Sequence, residues 1–272
     1  MKKVVFYFVS LLLVFASVSC SSETESVVAE ESESNQEAVS LLKEDIAAIN
    51  NAYLPQQSSK GVRRMPKWLR WIISAAADAG GTLLSGDLST GISASTLIWN
   101  VTKEEKSVAT DKNFKTENIG YIEPNSLGDM HNRITRELYE KYGDKVDTMS
   151  IQTIVERVAE VSHKSISNTE KEKMIRMLTV VKDNFDTNSS ISENINRLKT
   201  LADTQDKKDA LEISGMVLDG LQYVEDADTT YIKRIDRTIT DSNINPNLKR
   251  MVKDGVSVAN ASALLWNGDA VR

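Results

Sequence analysis

Thr169-Glu-Lys-Glu-Lys-Met-Ile-Arg-Met-Leu-Thr-Val-Val-Lys-Asp-Asn-Phe185 is the stretch that decides the fold class. Met174, Met177, Leu178, Val181 and Phe185 recur at spacings of three and four, which puts them on one face of a helix. Thr169 and Glu172 have the spacing of a capping box, in which side chains satisfy the first free amides. The same grammar repeats on either side. Ser150 precedes Ile151, Ile154, Val155 and Val158; Ser190 with Glu193 precedes Ile195, Leu198 and Leu201. A longer helix is expected from Lys207 to about Glu225, and Tyr231, Ile235 and Ile239 mark another. Asn245-Pro246 places an N-cap before a proline at the first helical position. Leu248, Met251, Val252, Ala259, Ala263 and Trp266 then face inward, and Gly268 is expected to stop the helix. No alternating run long enough for a sheet occurs in this half, so helix-on-helix packing follows: an all-α multi-helix bundle.

Upstream, Pro124 to Asn132 opens another helix, with Ser126 and Asp129 as its start signal and Leu127, Met130, Ile134 and Leu138 as its apolar face. Gly143 is expected to end it. The polar residues 102–120 read as an exposed connection where the body would divide if it divides at all. Before them lies the least ordinary block, Ala75-Ala-Ala-Asp-Ala-Gly-Gly-Thr-Leu-Leu-Ser-Gly-Asp-Leu-Ser-Thr-Gly91. Ala75 with Ala79, Ala76 with Gly80 and Ala77 with Gly81 are small residues four apart, a spacing that lets helix backbones approach closely. A membrane-inserting segment has similar composition, but Asp78 and Asp87 interrupt this one, and a charge at the bilayer centre costs about 2.5–3.5 kcal/mol. A buried core hairpin is the expectation. Residues 93–100, Ser-Ala-Ser-Thr-Leu-Ile-Trp-Asn, recur as Asn260-Ala-Ser-Ala-Leu-Leu-Trp-Asn267, which reads as two small-faced helices whose tryptophans cover similar sites.

The start of the chain carries Lys2 and Lys3, an apolar run from Val4 to Val18, and the single cysteine in Ser17-Val18-Ser19-Cys20. The run is shorter than the roughly 20 residues a span requires, so cleavage is expected rather than a transmembrane anchor. Ser21 to Asn35 is Ser- and Glu-rich with few large apolar side chains, the composition of a disordered acidic tether. From Glu37, Val39, Leu42, Ile46, Ile49 and Tyr53 form a helical face that Pro55 closes. Lys60 to Arg70 then gathers Arg63, Arg64 and Lys67 around Trp68 and Trp71. These five are candidate membrane contacts at the headgroup level; the competing expectation, a solvated loop leading into a core helix, is favoured because the apolar residues that follow do not segregate to one face.

The cysteine and the small residues before it resemble the lipobox of bacterial lipoproteins, in the looser form found in Bacteroidetes. That resemblance implies acylation of Cys20, and Glu23 and Glu25 then look like an export signal to the outer leaflet of the outer membrane. Ala77-Asp78-Ala79-Gly80-Gly81 together with Gly128-x-x-His131-Asn132 is similar to segments of exported Bacteroidetes lipoproteins of unknown function. It implies an extracytoplasmic helical protein and brings no activity. Asp147-Thr148-Met149 and Asp228-Thr229-Thr230 resemble the O-glycosylation motif of such proteins, which would make Thr148 and Thr229 sugar sites; otherwise they are solvent-facing turn residues.

The domain layout expected is a leader over 1–19, a lipidated tether over 20–35 and one helical domain over 36–272. Removing the leader from the 272 residues leaves 253, with 31 basic against 39 acidic side chains, a charge of −8 against −6 for the whole chain. An acidic chain is a poor nucleic-acid binder, and a lone cysteine forms no internal disulfide. The two histidines, His131 and His163, fall in separate helices with no zinc-ligand spacing around them, so neither metal nor cofactor is expected. His131, near Asp129 and Glu137, is the best single candidate for a general base or metal ligand; the competing reading is a helix N-terminal histidine satisfied by local hydrogen bonds. Ser40-x-x-Lys43 lacks the partner motifs that give such a pattern meaning, and Asp226 with Asp228 reads as helix-end solvation rather than a glycosidase pair. The function expected is a lipid-anchored, non-enzymatic envelope module that binds a protein or glycan. The alternatives are a membrane-active protein using residues 68–99 and a hydrolase centred on His131.

Overall fold

The computed structural model describes residues 21–54, 67–102, 122–186, 189–224 and 229–269, apart from the side chains of 21–33, 67–73, 99–102 and 266–269. Among the described residues there are ten α-helices and no strand, the all-α bundle the periodicity requires. They are α1 (Ser21–Tyr53), α2 (Lys67–Ser85), α3 (Leu88–Thr102), α4 (Leu127–Tyr142), α5 (Ile151–Val161), α6 (Asn168–Asn184), α7 (Ile191–Lys199), α8 (Gln205–Leu221), α9 (Thr230–Asp241) and α10 (Pro246–Asp269), with a 3-10 turn (Gly143–Thr148) after α4.

The small-residue block is the axis of the bundle. Every residue of α2 from Ser74 to Leu84 is buried, and so is every residue of α3 from Ser89 to Ile98. A helix enclosed on all sides needs neighbours that can come close, and Ala and Gly permit that. α2 packs against α3, α10, α8, α7 and α6. At its tightest crossing, a Cβ on Gly81 would lie 3.1 Å from the Cα of Gly91, so the two backbones meet with no side chain between them. The hairpin turn between α2 and α3 is made by Gly86 at φ +70° and by Asp87, whose carboxylate accepts the Ser89 amide at 2.8 Å and caps α3. The two similar octapeptides lie on α3 and α10, which both pack on α2 and so sandwich it. Their tryptophan side chains, Trp99 and Trp266, lie outside the described residues.

The amphipathic helices wrap this axis as their stripes dictate. Val39, Leu42, Ile46 and Ile49 of α1 are buried against α8 and α9. The ring of Tyr53 meets Tyr231 edge-on, with centroids 5.2 Å apart. The backbone of α1 is helical from Ser21, where a disordered tether was expected. Once the docked half has nucleated, each further residue adds a hydrogen bond, and the Glu and Ala of 21–35 are good helix formers. α6 starts at the Ser167–Glu170 capping box rather than the Thr169–Glu172 pair. The two pairs have identical spacing, and Ile166, packed against the core, pins the chain two residues earlier. The Ser190–Glu193 box and the Asn245 cap stand as the sequence implies, the latter accepting the Leu248 amide at 2.8 Å. Gly143, at φ +53°, ends α4, while α8 stops at Leu221 and α10 runs through Gly268 to Asp269.

Candidate functional site

Asp78 is a carboxylate in the middle of an otherwise uncharged, enclosed helix segment, and a buried charge is stable only when paired and hydrogen-bonded. Its partners arrive from two other helices. His131 of α4 places Nε2 3.0 Å from Asp78 Oδ1, both side chains being 0% exposed. The angle there is poor for a hydrogen bond, so the contact is chiefly one of opposite charges. The hydroxyl of Ser262 on α10 donates to Asp78 Oδ2. On the far edge of the ring, Nδ1 lies 2.8 Å from Asn132 Oδ1, and Asn132 Nδ2 donates to the Ala261 carbonyl at 2.9 Å. Three helices are thus joined through one polar chain.

Local sequence explains how His131 gets there. Ser126 caps α4 through the Asp129 amide at 3.2 Å, setting the register that turns Gly128, His131, Ile134, Thr135 and Leu138 inward. Gly128 lets α4 touch α10 directly, and its amide donates to Ser257 Oγ at 3.1 Å. Burial disfavours a charged His131 ring, but the Asp78 carboxylate and Asn132 outweigh both that and the repulsion from Arg136, so its pKa stands above the ordinary histidine value.

This constellation holds an acid, an imidazole and a hydroxyl, yet the order is wrong for nucleophilic catalysis. Ser262 donates to the carboxylate instead of the imidazole, and neither ring nitrogen is left as an acceptor for a substrate proton. Among the described residues, none of the grooves between α4, α9 and α10, around the α2–α3 turn, or beside α1 is lined by Asp78, His131 or Ser262. Comparison with protein-family models, curated proteins and solved structures gives no match.

The largest of these three described grooves, about 680 Å³, lies between the α2–α3 turn, α4 and the end of α5. Leu88, Met130, Ile134 and Val161 line it, with Arg133, Glu137, His163 and Lys164 among its charged and polar walls. Lys164 forms an ion pair with Asp87. Burial opposes ionisation of Asp87, but Lys164 and the Ser89 amide hold its pKa below the ordinary carboxylate value. His163 is exposed, in left-handed backbone at φ +53°.

The other sequence candidates scatter. Cys20, Arg63 and Arg64 lie outside the described residues, as do Asp226 and Asp228. Lys67, Trp68 and Trp71 lie on the opening turns of α2, their side chains outside the described set. Among the described residues no helix is long and apolar enough to cross a membrane, and within residues 68–99 the stretches Ser74 to Leu84 and Ser89 to Ile98 are core. Thr148 is exposed, its hydroxyl donating to the Lys145 carbonyl at 3.2 Å; Thr229 is half-buried before α9. Lys43 is occupied by Asp209 at 2.9 Å and Glu212 at 3.3 Å on α8, so it docks α1 rather than activating Ser40. Asp129 accepts the Asn125 amide at 3.1 Å and Glu137 faces the groove, so neither serves His131. Asp78 and Ser262 are the partners the sequence reading missed. The signal was present: a lone carboxylate among buried small residues requires a counter-charge.

Proposed function

We propose that this chain is a lipid-anchored helical module of the cell envelope, exported by a cleaved leader and acylated on Cys20, that binds a protein or glycan partner and performs no catalysis. The observation that carries the reading is the contrast between its two polar features. The described acid–imidazole–hydroxyl cluster is sealed and committed to joining helices, while the open groove offers apolar walls and mixed charge, a surface suited to recognition. Its described lining contains no tryptophan, tyrosine or phenylalanine ring on which a sugar could stack, which favours a protein side chain as the occupant. The short apolar run ending at Cys20 supports the anchor.

Crosslinking in intact cells with surface protease treatment alongside tests binding and sidedness together. The expected result is a discrete crosslinked partner that is lost when Met130→Glu places a charge at the groove's half-open methionine, with thermal stability unchanged. Retention of the same partner by that variant would remove the groove from the account. Mass spectrometry of the native protein is expected to show an acylated Cys20 as the first residue; an intact Met1 and a free thiol would refute the anchor.

A further inference from the structure

We propose that Asp78 and His131 form a proton-operated clasp between the α2–α3 hairpin and the α4–α10 pair, closed while the imidazole carries both ring protons and weakened when it loses one. The geometry leads to this directly. Asn132 Nδ2 donates to a backbone carbonyl at 2.9 Å, which fixes the amide so that Oδ1 faces His131 Nδ1 at 2.8 Å. The opposite ring nitrogen faces a carboxylate oxygen at 3.0 Å. One neighbour is an amide acceptor at hydrogen-bond distance from Nδ1 and the other a carboxylate oxygen set against Nε2 as a counter-charge, so the surroundings favour the imidazolium over either neutral tautomer. A neutral ring in this place would turn a lone pair toward one of the two oxygens, at a position that is 0% exposed and has no solvent to relieve it.

The surrounding charges leave Asp78 as the group that decides the ring's state. Asp78 faces it from α2, and Arg136, on α4 itself, opposes the charge. α3 has no ionisable residue. On α5, Arg157 and Glu160 are bound up with Lys141 and Tyr142, ten or more residues further along α4. Asp147 of the 3-10 turn is near the Tyr139 hydroxyl at 3.4 Å, and on α10 Lys253 and Asp254 line the groove beside Asn125. Because the folded pKa is raised, the sign is fixed. The clasp contributes its full stability below the ordinary histidine value, and that contribution is lost as pH rises through the folded value. Between the two, each pH unit changes the folded-to-unfolded ratio tenfold.

The full chain contains two histidines, so ring nitrogen spectra can be assigned by substitution. In 15N-labelled full-length protein His131 is expected to keep two protonated nitrogens to pH values above the ordinary histidine pKa. Thermal stability measured between pH 6 and 9 is expected to fall more steeply in the wild type than in Asp78→Asn, whose neutral side chain no longer holds the proton. His131 titrating at or below the ordinary histidine value, or identical pH slopes in the two proteins, would overturn the proposal. If Asp78→Asn does not fold, the wild-type His131 titration alone decides.

Discussion

Replacing Gly128 by alanine sets two effects of known size against each other. In an ordinary helix interior the change stabilises by about 1 kcal/mol, because alanine loses less backbone entropy. Here an added Cβ would overlap the Ser257 carbonyl oxygen and lie 2.8 Å from both Ala261 Cβ and Ser257 Oγ. Overpacking of this kind costs about 1–3 kcal/mol. Moving α4 away from α10 would also lengthen the 3.1 Å bond from the Gly128 amide to Ser257, a loss of about 1 kcal/mol. The balance is a destabilisation of about 2 kcal/mol, or roughly 4–8 °C in Tm for a domain of this size. Differential scanning calorimetry of Gly128→Ala checks it, with the same change in an Ala261→Gly background as a control. That second substitution relieves only the contact with Ala261, and the backbone carbonyl remains in the way, so most of the loss is expected to persist. A Tm at or above wild type would refute the claim that α4 and α10 meet backbone to backbone at this point.

Three further outcomes follow from the geometry. Tyr231→Phe removes a buried hydroxyl placed 2.8 Å from Asn50 Oδ1 and 3.0 Å from the Val217 carbonyl, and chemical denaturation is expected to show a loss of about 1 kcal/mol; no change would mean that the hydroxyl does not tie α1 to α8 and α9. Ser190→Ala breaks a capping box in which Ser190 Oγ accepts the Glu193 amide at 3.2 Å, and is expected to cost about 1 kcal/mol, with amide exchange rising first in α7. Glu160 accepts hydrogen bonds from Tyr142, Lys141 and Arg157, which lower its pKa to about 2. Its contribution to stability is therefore present above the ordinary carboxylate range and disappears as pH falls toward 2. Carbon NMR is expected to show that low midpoint and its rise in Tyr142→Phe; an ordinary midpoint in the wild type would count against the cluster.

Helix identity was legible wherever a stripe ran alongside a cap. Ser150, Ser190 and Asn245 each stand one residue before the helix they announce, because capping is a local interaction and leaves a local signature. The misplacement at Thr169 shows the limit of that logic: two equivalent boxes overlapped, and a tertiary contact of Ile166 chose between them. The helical backbone over 21–35 was missed because composition reports what a segment can bury, not whether a neighbouring helix extends into it. At the site, His131 was identified but given the wrong neighbours. Asp129 and Glu137 were near in sequence, whereas Asp78 and Ser262 came from helices far along the chain, and no periodicity links residues across such distances. The core role of the Ala-Gly block was legible from its spacing; its position at the centre of five neighbours was not.

The Ser262–Asp78 bond joins residues 184 positions apart, and it closes the second side of α2. A ribosome that has reached residue 245 has made this helix and α3 but not α10, the helix that covers it. The nascent polypeptide therefore carries an incomplete hydrophobic seam through most of its synthesis, and the loop entropy of that closure is met only late. Polypeptides arrested before residue 246 are expected to require chaperone binding or to be degraded, so quality control would recognise a premature stop in this gene as unfolded protein.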